Sequence, residues 1–215
     1  MASSRGLVLV LLLALLLRCS LFMFGIHDWI YSRIEFATPV TSWKRVLEGL
    51  SLLDYGISPY TGDTVHEPPL ILLLFHLFQN ETSNFTMPSI FLICDVLTGI
   101  VLYKSAQAHC KILMSCQQRD LKNYAENVGP ILLTADHLRN IPLLVLASYL
   151  LNPFTVASCV AQSTAVITNL SVTVALYFAL LGSAPLSMCF IAVAAYKSLY
   201  PIMLIVPITL ILIQK

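Results

Sequence analysis

The sequence predicts an all-α fold, a polytopic bundle of transmembrane helices. Three observations carry that prediction. Charge is too scarce to coat a soluble globule: 11% of the 215 residues are charged and 58% are apolar, against about 25% charged in an ordinary soluble domain. The apolar residues fall in long runs separated by polar stretches, the pattern of repeated membrane crossings. Pro142, Pro153, Pro185, Pro201 and Pro207 punctuate the later runs. Such breaks are tolerated at membrane depth only where protein or a water-filled cavity satisfies the freed backbone groups, so the helices must pack together. The net charge of +1 is near neutral and predicts no nucleic-acid partner.

The elements follow in order within one transmembrane domain, residues 1–215. Leu7 to Phe24 rises about 27 Å as a helix, enough to span. No small-x-small cleavage site follows it, so it reads as an uncleaved signal-anchor (7–24) with Arg18 near enough to its far end to snorkel toward water. Residues 25–87 form a polar region. Within it Val40, Trp43, Val46, Leu47, Leu50 and Leu53 repeat at helical spacing, predicting an amphipathic helix that lies on the membrane surface. Gly56 is a natural stop for it. Leu70 to Phe78 is too short to span and reads as re-entrant, interfacial or packed in the bundle. Residues 88–103 are the next span, 104–139 a polar loop, and 140–213 further spans: Ile141 to Val160, Thr164 to Leu181, Pro185 to Ala195 and Leu199 to Ile213.

Orientation follows from Lys and Arg. Lys104, Lys111, Arg119, Lys122 and Arg139 make the 104–139 loop the most basic connection, which places it in the cytosol. Residues 25–87 are then lumenal and Lys215 cytosolic. Of three sequons, Asn80 and Asn84 are lumenal and are candidate N-glycosylation sites, while Asn169 lies in a predicted helix. The chain stops directly after an apolar run, which reads as a short form or one half of a larger bundle.

Few residues offer chemistry. The six cysteines form no C-x-x-C pair and no zinc spacing, so they read as small hydrophobes, with neither metal nor cofactor predicted. A sugar transferase would need a lumenal base and often an acidic pair. Asp28, Glu35, Asp54, Asp63 and Glu67 are the acids available, and no D-x-D occurs. Glu67 precedes two prolines and is therefore held extended. Asp95 sits within an apolar run, so it faces the bundle interior with a partner. Lys197, between Tyr196 and Tyr200 near the join of two short segments, meets a phosphate or snorkels to the lumenal interface. His76 reads as a packed residue. Trp43, Arg45, Glu48, His66, Glu67, Asp95 and Lys197 are the candidate lipid- or partner-contacting residues. No catalytic residue is assigned.

Four blocks carry a family resemblance: "TSWKRVLEGLSLLDYGISPYTGDTVHEPPLI", "CDVLTGIVLY", "IPLLVLASYLLNPFTVASCVAQST" and "AYKSLYPIMLIVP". They closely resemble the PIG-U family, the U subunit of the glycosylphosphatidylinositol (GPI) transamidase, from Leu7 onward. The resemblance implies a multi-pass endoplasmic reticulum membrane protein, roughly twice this length, with the architecture of GT-C glycosyltransferases; this chain would be the N-terminal half of such a fold. It implies a non-catalytic subunit of the complex that replaces a C-terminal signal with a GPI lipid. Catalysis would belong to a Cys-His protease-like subunit. The implied partners are the other transamidase subunits, the GPI lipid and, indirectly, the GPI-anchored precursor proteins. The lipid-recognition segment proposed for the family lies outside these 215 residues, so the chain alone is expected to be incompetent or only partly competent.

Two other readings stand beside it. "YKSLYP" is similar to a stretch of the GT-C mannosyltransferases that also carries a Lys before Tyr-Pro. The alternative is thus a dolichol-phosphate-mannose-dependent mannosyltransferase with Asp28 as base and Lys197 near the phosphate. The missing acidic pair weighs against it. A transporter-like bundle built on Asp95 would need polar partners, for which Gln162, Ser163 and Asn169 are on offer.

Overall fold

The computed structural model of the chain describes residues 4–80, 86–125 and 127–214. Among these there are helices and loops but no strand. The helices are α1 (Ser4–Met23), α2 (Ile26–Ser32), α3 (Ile34–Ala37), α4 (Trp43–Asp54), α5 (Pro69–Asn80), α6 (Thr86–Asp120), α7 (Ala135–Arg139), α8 (Ile141–Leu150), α9 (Pro153–Val160), α10 (Ala165–Leu181), α11 (Ala184–Lys197) and α12 (Ile205–Ile213). Two are long and apolar enough to cross a membrane, Arg5–Met23 and Thr86–Asn123. The pair Ala135–Leu150 and Pro153–Val160, bent by 49°, makes a third if it is one span.

Helix α6 is the largest departure from the sequence reading. It does not stop at Tyr103 but continues to Asp120, into the stretch that reads as a polar loop. Residues 104–120 hold neither Gly nor Pro and include Ala, Gln, Lys, Leu and Met, all good helix formers, so nothing local ends the helix. At 35 residues it is about 52 Å long, well beyond a hydrocarbon core of about 30 Å. Its polar end is held from outside: the Gln117 carboxamide donates to the Leu133 carbonyl (3.0 Å) and accepts from the Leu133 N–H (2.9 Å).

Helices α6, α8, α10 and α11 make the bundle's closest pairings. At Gly99 of α6 an added Cβ would stand 2.8 Å from Leu150 Cγ, so the missing side chain is what lets α8 approach. Val10 and Ala14 of α1 pack on Leu146 and Leu150 of α8, with Leu7, Tyr103 and Leu143 around them. Ala175, Ala179, Ile191 and Ile208 join α10, α11 and α12.

Charge separates the two ends of the bundle. The start of α1 lies against the start of α8, where a Cβ on Gly6 would be 3.0 Å from Leu143 Cδ2. Lys104 and Lys111 line one cavity with Leu181, at the end of α10. Lys111 and Arg139 line another. Arg5, Lys104, Lys111 and Arg139 thus collect at one end, the basic end. Helices α4 and α5 and the loops around them gather at the opposite end.

The amphipathic helix forms as α4, one turn shorter at its start than the apolar stripe. Most of its apolar face packs on protein. Trp43, Val46 and Leu50 are buried against Val65, Leu72, Phe75, Phe91 and Val166, and Trp43 packs edge-on to Phe75 (5.0 Å, 86°) and Phe91 (5.4 Å, 75°). The apolar segment after it, α5, turns Leu72 and Phe75 into the same cluster. The two helices thus share one buried apolar seam, while Leu47 of α4 and Leu70, Leu73, Leu74 and Leu77 of α5 remain exposed.

Candidate functional site

Two buried ion pairs dominate the polar interior. The first unites the ends of two sequence blocks. Glu67 stands directly ahead of Pro68 and Pro69, the latter opening α5. Its carbonyl accepts from Tyr60 Oη at 2.8 Å, and burial, with Tyr196 and Glu67 nearby, raises the Tyr60 phenol above its ordinary pKa. Lys197 ends α11, where the helix dipole favours a cation. Its Nζ donates to Glu67 Oε1 (2.8 Å), Glu67 Oε2 (3.1 Å) and Thr164 Oγ1 (2.8 Å). The Thr164 hydroxyl in turn donates to Glu67 Oε1. The side chains of Lys197 and Glu67 are 3% and 5% exposed. An ammonium has three donors, and all three are used. Lys197 therefore neither snorkels nor keeps a hydrogen free for a phosphate, which corrects both roles read from the sequence.

The backbone closes around this cluster. The Thr164 N–H donates to the Thr41 carbonyl (2.9 Å), and the Leu70 N–H donates to Tyr196 Oη (3.3 Å). The loop before α4, the loop before α5, the start of α10 and the end of α11 thus meet at one point.

The second pair lies between α1 and α6. Arg18 Nη2 is 2.5 Å from Asp95 Oδ2, and both side chains are almost wholly buried. Tyr149 Oη donates to Asp95 Oδ1 (2.9 Å). Arg18 also mends the break between α8 and α9. Pro153 has no N–H, and the Phe154 N–H is diverted to Asn152 Oδ1 (2.9 Å), so two carbonyls of α8 lose their normal partners. Arg18 Nη1 donates to Leu150 O (3.0 Å), and Thr155 Oγ1 donates to Tyr149 O (2.5 Å). The snorkelling expected of Arg18 is corrected: an acid on the neighbouring helix and a freed carbonyl outcompete water. Asp95, Tyr149, Thr155, Ser158 and Asn169 line a cavity of about 100 Å³ beside the pair. Gln162 and Ser163 do not line it, so of the three polar partners a transporter would need, only Asn169 is there.

The other expected contact residues scatter. Trp43 is a core residue, which corrects a lipid-facing role for it. Arg45 pins the loops, donating to Thr64 O (3.1 Å) and Thr38 O (2.8 Å). Glu48 and His66 are exposed. His76, read as packed, sits partly exposed with Nε2 2.8 Å from Asp54 Oδ1. Asp28 is 89% exposed, 3.3 Å from His27 Nδ1. Asn84 lies outside the described residues. Asn80 ends α5, and its side chain also lies outside them. Among the described residues no group of three His, Cys, Asp or Glu is placed to hold a metal. Thr164 and Tyr149 escaped the sequence reading, and Arg18 was read as snorkelling and not as the partner of Asp95. The signal for Arg18 was present, since two opposite charges in separate apolar runs need each other in a medium without water.

The chain matches the family model "GPI transamidase subunit PIG-U" over residues 12–215. It is 44% identical over 211 residues to the human GPI-anchor transamidase component PIGU, covering 97% of this chain and 47% of that protein. It is 30% identical over 176 residues to the GPI transamidase component GAB1 of Saccharomyces cerevisiae, covering 81% and 37%. A GPI mannosyltransferase 1 of Debaryomyces hansenii is 28% identical over 97 residues, covering 44% and 23%. The chain spans about half the length of the curated relatives it matches. On the extent of the family match, it belongs to the PIG-U family of GPI transamidase subunits.

Proposed function

We propose that this chain acts as a non-catalytic, multi-pass subunit of the GPI transamidase in the endoplasmic reticulum membrane. It binds the other subunits and helps recognise or present the GPI lipid to which precursor proteins are joined. Its bundle is a GT-C-like scaffold whose glycosyl-transfer chemistry has been replaced by internal ion pairs. Residues 25–87 face the lumen, with Asn80 and Asn84 open to glycosylation, and the basic end faces the cytosol. The observation that carries the reading, beside family membership, is the engagement of Lys197. A mannosyltransferase would aim this cation at a lipid phosphate, and here Glu67 and Thr164 take all three of its donors.

The test uses cells lacking the U subunit. The tagged chain is expected to co-purify with the remaining transamidase subunits from endoplasmic reticulum membranes, leaving the mannosylation of GPI precursors unchanged. Clearance of an under-mannosylated precursor by this chain would overturn the proposal in favour of the transferase. Failure to co-purify, with a full-length relative binding normally, would overturn the assembly role.

A further inference from the structure

A second cavity, of about 410 Å³, opens where α1 ends and α6 begins. Phe22, Met23 and Leu92 wall it with apolar surface, and His27, Gln162 and Cys19 bring polar groups. Apolar walls with a few convergent polar groups, at this size, are the make-up of a ligand site. Neither buried ion pair contributes to it.

Its polar groups are unusual. Gln162 is 5% exposed, and its carboxamide takes no hydrogen bond among the described residues. Its backbone has φ +55°, the only positive φ outside glycine among those residues. Left-handed backbone in a long side chain is sparsely populated and clusters at ligand sites. His27 Nε2 is buried without a hydrogen-bond partner among the described residues. Its Nδ1 faces the Asp28 carboxylate at 3.3 Å. A carboxylate only accepts, so the Nδ1–H tautomer serves Asp28 and leaves Nε2 to accept a hydrogen bond. The cavity therefore asks for a ligand that donates a hydrogen bond. Asp28 beside the ring, with no basic residue in the lining, disfavours an anion.

The mouth identifies the medium. Leu9, Leu12, Leu16 and Met23 are exposed, as is Cys19. At helical spacing they form one stripe along α1. This stripe runs from mid-helix directly into the cavity, whose lining includes Cys19 and Met23. If α1 crosses the membrane, a chain lying along the stripe leads its polar end to His27 and Gln162.

We propose that this cavity binds a membrane lipid, uncharged or zwitterionic, whose interfacial end carries an O–H or N–H donor. The acyl chain follows the α1 stripe, the donor meets His27 Nε2, and the Gln162 carboxamide holds a neighbouring carbonyl or hydroxyl. The proposal goes beyond the transamidase reading and does not depend on it.

Photoactivatable lipids test it on the whole chain in native membranes, with adducts mapped by mass spectrometry. A diacylglycerol probe is compared with its methyl ether, and an ethanolamine phospholipid with its choline counterpart; each pair differs in the donor, and the two pairs separate hydroxyl from ammonium sources. Adducts at Phe22, Met23 and Leu92 are expected to fall about two- to tenfold when the donor is removed from the preferred probe, the worth of one hydrogen bond. The same loss is expected for His27→Phe, which keeps a ring packed against Phe22 (5.4 Å) and Tyr31 (5.8 Å). Gln162→Gly, which suits the positive φ, and the cavity-filling Leu92→Trp should act alike. Adducts at Leu9, Leu12 and Leu16 should persist from annular lipid, and thermal unfolding in detergent reports that each variant remains folded. Equal labelling by donor and capped probes, or cavity labelling no stronger than along the stripe, would mean annular lipid only and overturn the proposal. So would a photoreactive residue at Met23 that captures a protein in place of lipid.

Discussion

Glu67 and Lys197 stand 130 residues apart in the chain and meet as a buried ion pair, Nζ to Oε1 at 2.8 Å. The contact ties the loop that opens α5 to the last turn of α11. Through Thr164 it also holds the start of α10. Whatever α4 and α5 present at this end of the bundle is positioned by it.

The first prediction concerns that pair. Glu67→Gln or Lys197→Met alone leaves one buried charge without its partner, a loss of about 3–5 kcal/mol. The double variant Glu67→Gln with Lys197→Met removes both charges and should recover a large part of the loss. Thermal unfolding of the purified chain in detergent measures it. Simple addition of the two single losses would show that the charges do not interact.

Arg18 carries two duties, and they are separable. Asp95→Leu strands the guanidinium and should destabilise strongly. Adding Arg18→Leu relieves the stranded charge but leaves the Leu150 carbonyl unpaired at the α8–α9 break, so about 1–3 kcal/mol of loss should persist. Arg18→Lys should fall between, because an ammonium lacks the fork that reaches Asp95 and Leu150 together. The same unfolding assay, run on the parent, Asp95→Leu, Arg18→Leu and the double variant as a cycle, reads both contributions.

Gly99 marks the tightest helix approach. Gly99→Ala would place Cβ 2.8 Å from Leu150 Cγ, and such overpacking costs about 1–3 kcal/mol. Leu150→Ala in the same chain removes the clashing Cγ and Cδ atoms, so the two losses should be less than additive. Full additivity would mean that the backbone, not the side chain, sets the spacing.

Orientation is open to a direct assay. An epitope inserted in the exposed turn at Gly62 should resist protease in sealed microsomes and be cut only after detergent. One inserted after Asn123, past the polar end of α6, should be cut in both conditions. The reverse pattern would overturn the assignment of the basic end to the cytosol.

Much of this was legible in the sequence, for identifiable reasons. The first span, the amphipathic spacing of α4 and the inward turn of Asp95 follow from local apolar periodicity and from the cost of charge in lipid. The end of α6 was misjudged because polarity was read as loop, whereas residues 104–120 contain no helix breaker and have a partner in Leu133. Trp43 was aimed at the membrane because a single amphipathic stripe looks the same whether lipid or protein covers it.

By itself, the sequence determined that this is a helical membrane-type bundle and which family it joins. These depend on residue types and spacings within one segment at a time. Tertiary structure alone decided that Glu67 belongs with Lys197, Arg18 with Asp95 and Leu150, and α4 with α5. Those pairings depend on which helices become neighbours. A buried charge or a freed carbonyl demands a partner, but nothing in its own segment says which distant residue will supply it.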